Sequence, residues 1–321
     1  MADTNWKNSL VTALCKRTGL SSPFEGVRLC VQRLINDSGI QHPPFCPEVL
    51  GHLRSIRNVI AVPLEVDGRL LPDGTSYTVE VNCAHSKQRQ NFSCAHELIH
   101  TFFLEPLEIE QRVLRMRNYP GSPNASSSEE EEILCNYGAS ELLMPIGFFD
   151  KRAACLDPSF YSITCLAREF DVSIEAAARR WIKVSQWRAI LIKWTPTGPE
   201  ERRTLGLLWS KSTKGIRSHI SPAAEPPEQV RVAYSHKTGL HGRVRLSLGG
   251  PEDDFFMESI WLGGSQNCVF SLIVLEPSIH LFPRSSKGKP PGAKGEARSD
   301  QMNLSLNRRQ GERRVPDFLK M

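Results

Sequence analysis

Between Asn91 and Leu104 the sequence reads NFSCAHELIHTFFL, rich in apolar residues and free of glycine and proline. A run of this kind is expected to form a buried helix, with Ser93 placed to cap its start. The helix carries His96, Glu97 and His100 with it, and polar groups taken into a core need partners. Any fold open to this chain must therefore be built around that helix and must supply what its histidines lack.

The rest of the composition is that of a globular protein. With 321 residues, 40% hydrophobic and 23% charged, disorder throughout is excluded. A formal charge of +5 invites a nucleic-acid or anionic-membrane reading, but the charge is unevenly placed. From Arg284 to Met321 there are ten basic and four acidic residues; the preceding part holds 30 basic and 31 acidic, and is close to neutral. Nine scattered cysteines without a C-x-x-C pair fit neither a disulfide framework nor a zinc ribbon. The first residues lack the pattern of a secretory signal, and no stretch is apolar for long enough to span a membrane. A reducing, cytoplasmic setting is expected.

Along the chain, apolar spacing predicts two opening helices, from Trp6 to Leu20 and from Phe24 to Ile35. The β-branched run Asn58 to Val66 ends in a hairpin-type Asp67-Gly68 turn, and Pro72-Asp73-Gly74 precedes the alternating SYTVEVN. Together they predict a small antiparallel sheet. After the histidine helix comes a long polar loop from Glu105 to Ser128, and helical pattern then resumes from Glu129 to Met144. Around Ile163 to Val184 two short helical patterns flank a tight break, with Ser173 as a cap, in a helix-turn-helix shape. Beyond Gln186 the runs WRAILIKW, RTLGLLW, QVRVAYS, RVRLSL, DFFMESIW and CVFSLIVLE read as strands. The fold class is α+β, organised as residues 1–150 around the histidine helix, a helical segment 151–187, a strand-rich domain 188–283 and a disordered basic tail 284–321.

The sequence His96-Glu97-Leu98-Ile99-His100 carries the chemistry. Two histidines four apart on a helix lie on one face about a turn apart, so both imidazoles reach one metal ion and Glu97 reaches a water on it. A carboxylate so placed takes the water's proton as the water attacks a peptide carbonyl, which is the zincin arrangement and implies peptide hydrolysis. Zinc held by two histidines needs a third protein ligand and keeps a position for water. Glu132 is the leading candidate, in register with Cys135, Ala139, Leu142 and Leu143 on the apolar face of its helix; Glu129 is its rival.

The helix QRQNFSCAHELIH, followed by E-x-x-C-N-Y-G-A-S-E-L-L-M-P from Glu132 to Pro145, resembles the ImmA/IrrE family of zinc metallo-endopeptidases. The resemblance implies that His96, His100 and Glu132 bind Zn2+ and that Glu97 is the catalytic base. It implies as substrate a DNA-binding transcriptional repressor, cleaved with narrow specificity in response to stress or mobile-element signals. By analogy with longer members, the strand-rich segment would be a regulatory or sensor-like domain. Three positions depart from the family pattern: Ile99 stands where glycine is usual, Cys135 where alanine is usual and Gly138 where phenylalanine is usual. Gly138 is expected to leave a hole in the face of the helix that bears Glu132.

Other residues carry less. Arg89 is expected to form a surface salt bridge, Cys94 to be a buried small hydrophobe facing away from the metal, and Tyr77 and Tyr137 are candidates to stabilise an oxyanion. The strand from Ser76 to Val81 is a candidate edge for an extended substrate. The alternative function is a DNA-binding or metal-sensing regulator using the helix pair 161–187, although Ile174, Glu175 and Ala176 are a poor start for a helix that reads base edges. An inactive scaffold is disfavoured by the intact His96, Glu97, His100 and Glu132. The basic tail would add at most weak, non-specific attraction to DNA.

Overall fold

In the computed structural model, residues 6–103, 129–199, 204–216, 220–221, 224–248, 250–263 and 267–275 are described. The chain divides into two units, Met1–Gln186 and Trp187–Met321. Both the long polar loop and the basic tail expected from the sequence fall outside the described residues. Helices and sheets are mixed in an α+β arrangement. Among the described residues no disulfide forms and no helix is long and apolar enough to cross a membrane.

The first unit opens with α1 (Ser9–Thr18) and α2 (Pro23–Ser38). Asn8 caps α1 by accepting from the backbone N–H of Leu10 at 2.7 Å and of Val11 at 3.4 Å. A short α3 (Pro47–Gly51) and a 3-10 turn lead into β1 (Ile56–Val62), β2 (Gly68–Asp73) and β3 (Ser76–Asn82), ordered β1-β3-β2. The hairpin β2–β3 turns at Gly74, whose φ of 59° suits glycine. The expectation of an antiparallel sheet holds only for that hairpin, because β1 pairs with β3 in parallel. Asp67-Gly68 thus opens β2 and closes no hairpin. Strand β3 is central, so Ser76 to Val81 is no edge; the edges are β1 and β2.

Helix α4 (Lys87–His100) is capped by Ser86, whose hydroxyl accepts from the Arg89 N–H. Ser93 is buried within the helix and donates to the Arg89 carbonyl at 3.0 Å, so it is not the cap. The helix starts a turn earlier than its apolar stretch because polar residues 87–91 cover its exposed first turn. Cys94, Ala95, Leu98 and Ile99 are buried, and burying a side chain such as Leu98 stabilises by roughly 1.5–3 kcal/mol.

Against α4 lies α5 (Glu129–Leu143), followed by α6 (Phe149–Ala154), α7 (Phe160–Glu169) and α8 (Ile174–Val184). The hole expected at Gly138 is filled. A Cβ at that position would stand 2.8 Å from Ile99 Cγ2 and 2.8 Å from Val27 Cγ1. Ile99 on α4 and Val27 on α2 thus occupy the space that a side chain at 138 would need. Gly138→Ala should destabilise by about 1–3 kcal/mol through overpacking, partly offset by about 1 kcal/mol of helix propensity. Urea denaturation checks this. In a background carrying both Ile99→Ala and Val27→Ala, where the clashing methyls of both neighbours are gone, the same change should cost less or turn stabilising.

Further along α5, Glu141 and Arg180 on α8 form a buried two-pronged ion pair at 2.5 and 2.9 Å. It ties the helices after the site to the helix that forms one wall of it.

The second unit is an antiparallel sheet ordered β5-β4-β8-β7-β6, from β4 (Ala189–Thr197), β5 (Thr204–Ser212), β6 (Gly239–Ser247), β7 (Glu252–Leu262) and β8 (Cys268–Val274). One core gathers Ile190, Ile192, Trp194, Val244, Met257, Val269 and Ile273 with Val230 and Ala233. The last two belong to α9 (Glu228–Ser235), which corrects the reading of QVRVAYS as a strand. Its buried residues are three apart, on one helical face, whereas Val232 is only partly buried. Inside the core the Trp194 indole N–H donates to Ser271 at 3.1 Å and Ser271 pairs with Ser259 at 2.9 Å, so these buried polar groups are satisfied.

Candidate metal centre

Helix α4 presents His96, Glu97 and His100 to a cleft of about 400 Å³ whose lining includes Gly68, Arg89, Phe92, Glu132 and Asn136. The start of β2 forms one wall. A Cβ at Gly68 would stand 3.3 Å from Ser93 Cβ and 3.6 Å from Glu97 Cγ, so glycine there lets the strand lie close to the helix. The Leu70 backbone N–H then donates to the Glu97 carboxylate.

The four glutamates that open α5 take four different environments. Glu129 is exposed. Glu130 accepts from the backbone N–H groups of Lys7 and Asn8, at 3.0 and 2.9 Å, and fastens the start of α1. Glu131 is buried, at 1% exposure, with Oε1 3.5 Å from His100 Nδ1. Glu132 faces the histidines: Oε2 is 3.1 Å from His96 Nε2 and Oε1 is 3.5 Å from His100 Nε2. The two Nε2 atoms are themselves 3.1 Å apart.

These separations bear on whether the residues suit a metal. Ligand atoms of a four-coordinate zinc site, with bonds of roughly 2.0–2.1 Å, stand about 3.4 Å apart. The spacings between His96 Nε2, His100 Nε2 and the Glu132 carboxylate, which meets each imidazole through a different oxygen, have that scale. Glu97 Oε2 is buried and has no hydrogen-bond partner among the described residues, a costly state for a carboxylate unless something in the cleft engages it. The donor set of two imidazoles and a carboxylate is one that zinc accepts. The residues fit a divalent ion.

Electrostatics agree with the crowding of carboxylates. Burial pushes the Glu97 carboxyl above its ordinary range, against the lowering influence of His100 and His96. Burial alone would lower His96, but the Glu132 hydrogen bond and the charges of Glu97 and Glu132 outweigh it and hold the imidazole above its usual value. Cys135 is also close: its sulfur and nitrogens of His96 and His100 lie within 4.8 Å of one another. Burial, with Glu131, Glu132 and Glu97 nearby, pushes that thiol well up.

Each imidazole has a partner on its far side. Asn136 Oδ1 is 3.2 Å from His96 Nδ1, and Glu131 faces His100 Nδ1 as described. Neither partner was singled out in the sequence. Asn136 is four residues beyond Glu132 and so shares its face, a signal that was available. Nothing local distinguishes Glu131 from its neighbours.

The remaining sequence candidates fall mostly away from the chemistry. Arg89 pairs with Asp67 at the cleft. Cys94 is buried and its thiol is pushed up to about 12. Tyr77 and Tyr137 are not among the residues lining the cleft; Tyr137 stacks edge-on with Phe24 at 5.0 Å. On α8, Arg179 pairs with Glu175 at 2.8 Å and Arg180 is buried with Glu141.

A helix-borne H-E-x-x-H facing a carboxylate on a second helix is the arrangement of a metallopeptidase-type domain. Residues 61–181 match the family model described as Peptidase_M78, IrrE N-terminal-like domain. Among solved structures, one described as a Mycobacterium tuberculosis transcriptional regulator aligns at a TM-score of 0.49 and 17% identity, covering 82% of this chain and 78% of that one. No curated protein matches the chain.

Proposed function

We propose that this protein is a zinc-dependent endopeptidase of narrow specificity, with His96, His100 and Glu132 as the metal ligands and Glu97 as the catalytic base. The observation that carries this reading is the convergence of both Nε2 atoms and the Glu132 carboxylate within 3.1–3.5 Å of one another, beside the buried Glu97. A divalent ion in this site would polarise a carbonyl and ease the ionisation of water. Glu97 accepts the proton that the attacking water gives up, held in place by the Leu70 N–H, and passes it to the departing amine as the peptide bond breaks. Asn136 and Glu131 hold the imidazoles with their Nε2 atoms toward the cleft.

The substrate we infer is a cytoplasmic DNA-binding repressor, cleaved in a stress or mobile-element response, by resemblance to the ImmA/IrrE family. Residues 188–283 would act as a regulatory or sensor-like domain, and the basic tail 284–321 would lend weak attraction to DNA. The DNA-reading alternative finds little support on α8, where Arg180 is buried in an ion pair and Arg179 is engaged by Glu175. Co-expression with candidate repressors tests the proposal: a cleavage product should appear with one of them and vanish when the cells are depleted of zinc.

A further inference from the structure

We propose that Glu131 is a positioning residue for His100 and that Asn8 in turn holds Glu131, so that the cap of the first helix belongs to the outer ring of the metal site. The inference rests on the metal reading above. An imidazole whose Nε2 faces an ion carries its proton on Nδ1, and that proton needs an acceptor. For His100, 2% exposed, the carboxylate oxygen that faces Nδ1 is Glu131 Oε1, 3.5 Å away, at ion-pair rather than hydrogen-bond distance, and 1% exposed itself. The other oxygen, Oε2, accepts from Asn8 Nδ2 at 3.4 Å.

Asn8 has little freedom to do otherwise. Its Oδ1 is committed to capping α1, accepting from Leu10 at 2.7 Å, which leaves the amide nitrogen to face Glu131. Its backbone N–H donates to Glu130, the preceding residue on α5, at 2.9 Å. Two consecutive glutamates thus grip one capping residue, one through the main chain and one through the side chain. The line Asn8, Glu131, His100 runs from the start of α1 to the cleft through buried or partly buried groups. His96 has a neutral amide, Asn136, in the corresponding place, so the two histidines are held by unlike partners.

Zinc affinity, measured by competition with a chromophoric chelator, and the visible spectrum of the Co(II)-loaded protein test this on the full chain. Glu131→Gln, nearly isosteric, should weaken zinc binding about 10–100-fold and alter the cobalt spectrum. Asn8→Asp is the second variant. Aspartate caps a helix about as well as asparagine, so α1 should persist by hydrogen exchange, yet the donor to Glu131 is replaced by a like charge. Weaker zinc binding in Asn8→Asp with α1 intact supports the relay, because a purely structural role would leave affinity unmoved. If wild type binds zinc and both variants bind it equally well, the relay is overturned while the metal site stands. If wild type takes up no zinc, the metal reading fails and this inference goes with it.

Discussion

Glu97→Gln should take up zinc as well as wild type and hydrolyse its peptide substrate about 10²–10⁴-fold more slowly, the usual contribution of a positioned general base. The amide keeps the shape of the side chain and can still accept from the Leu70 N–H, so fold and metal binding are spared. It has no basicity to take a proton from water. Metal analysis of the purified proteins, set beside the rate at which product appears from a co-expressed or purified substrate, separates the two effects. Cleavage at the wild-type rate would remove Glu97 from its role. Loss of zinc together with activity would instead make it a ligand.

The second large effect concerns the third ligand. Glu132→Ala should lower zinc affinity by more than the about 10–100-fold expected for an outer partner, because it removes one corner of the triangle with the two Nε2 atoms. Glu129→Ala should leave affinity unchanged, since that residue is exposed at the very start of α5. Equilibrium dialysis of the two variants beside His96→Ala gives the comparison directly. A Glu132→Ala protein that retains its metal would point to Cys135, whose sulfur lies within 4.8 Å of nitrogens of both histidines.

How much of this was legible in the sequence differs from element to element. The histidine pair was, because a spacing of four on a glycine-free helix puts both side chains on one face whatever the rest of the fold does. The placing of Glu132 opposite the histidines was partly so, through its register with Cys135 and Ala139. Glu131 was not: consecutive residues on a helix point about 100° apart, and which of those directions is covered depends on α1 and α4, far away in sequence. The parallel pairing of β1 with β3 was hidden for the same reason, since Asp67-Gly68 looks locally like a hairpin turn and only the placing of β3 between its neighbours excludes it. Helix α9 was misread because Val230, Val232 and Tyr234 alternate as a strand would, while Val230 and Ala233 also satisfy helical spacing. A segment that short offers no further turn to decide between them.

The close fit of Ile99 against Gly138 couples two helices that share no stretch of sequence. Neither position can change on its own: phenylalanine at 138 would meet Ile99 already occupying its space, and glycine at 99 would leave the groove beside Gly138 empty. The helix that bears the histidines and the helix that bears Glu132 therefore behave as lock and key, and a change of size in one calls for a change in the other. A chimera whose borrowed α5 carries a large side chain at 138 should be rejected by its mate, even where every residue assigned to the metal is kept.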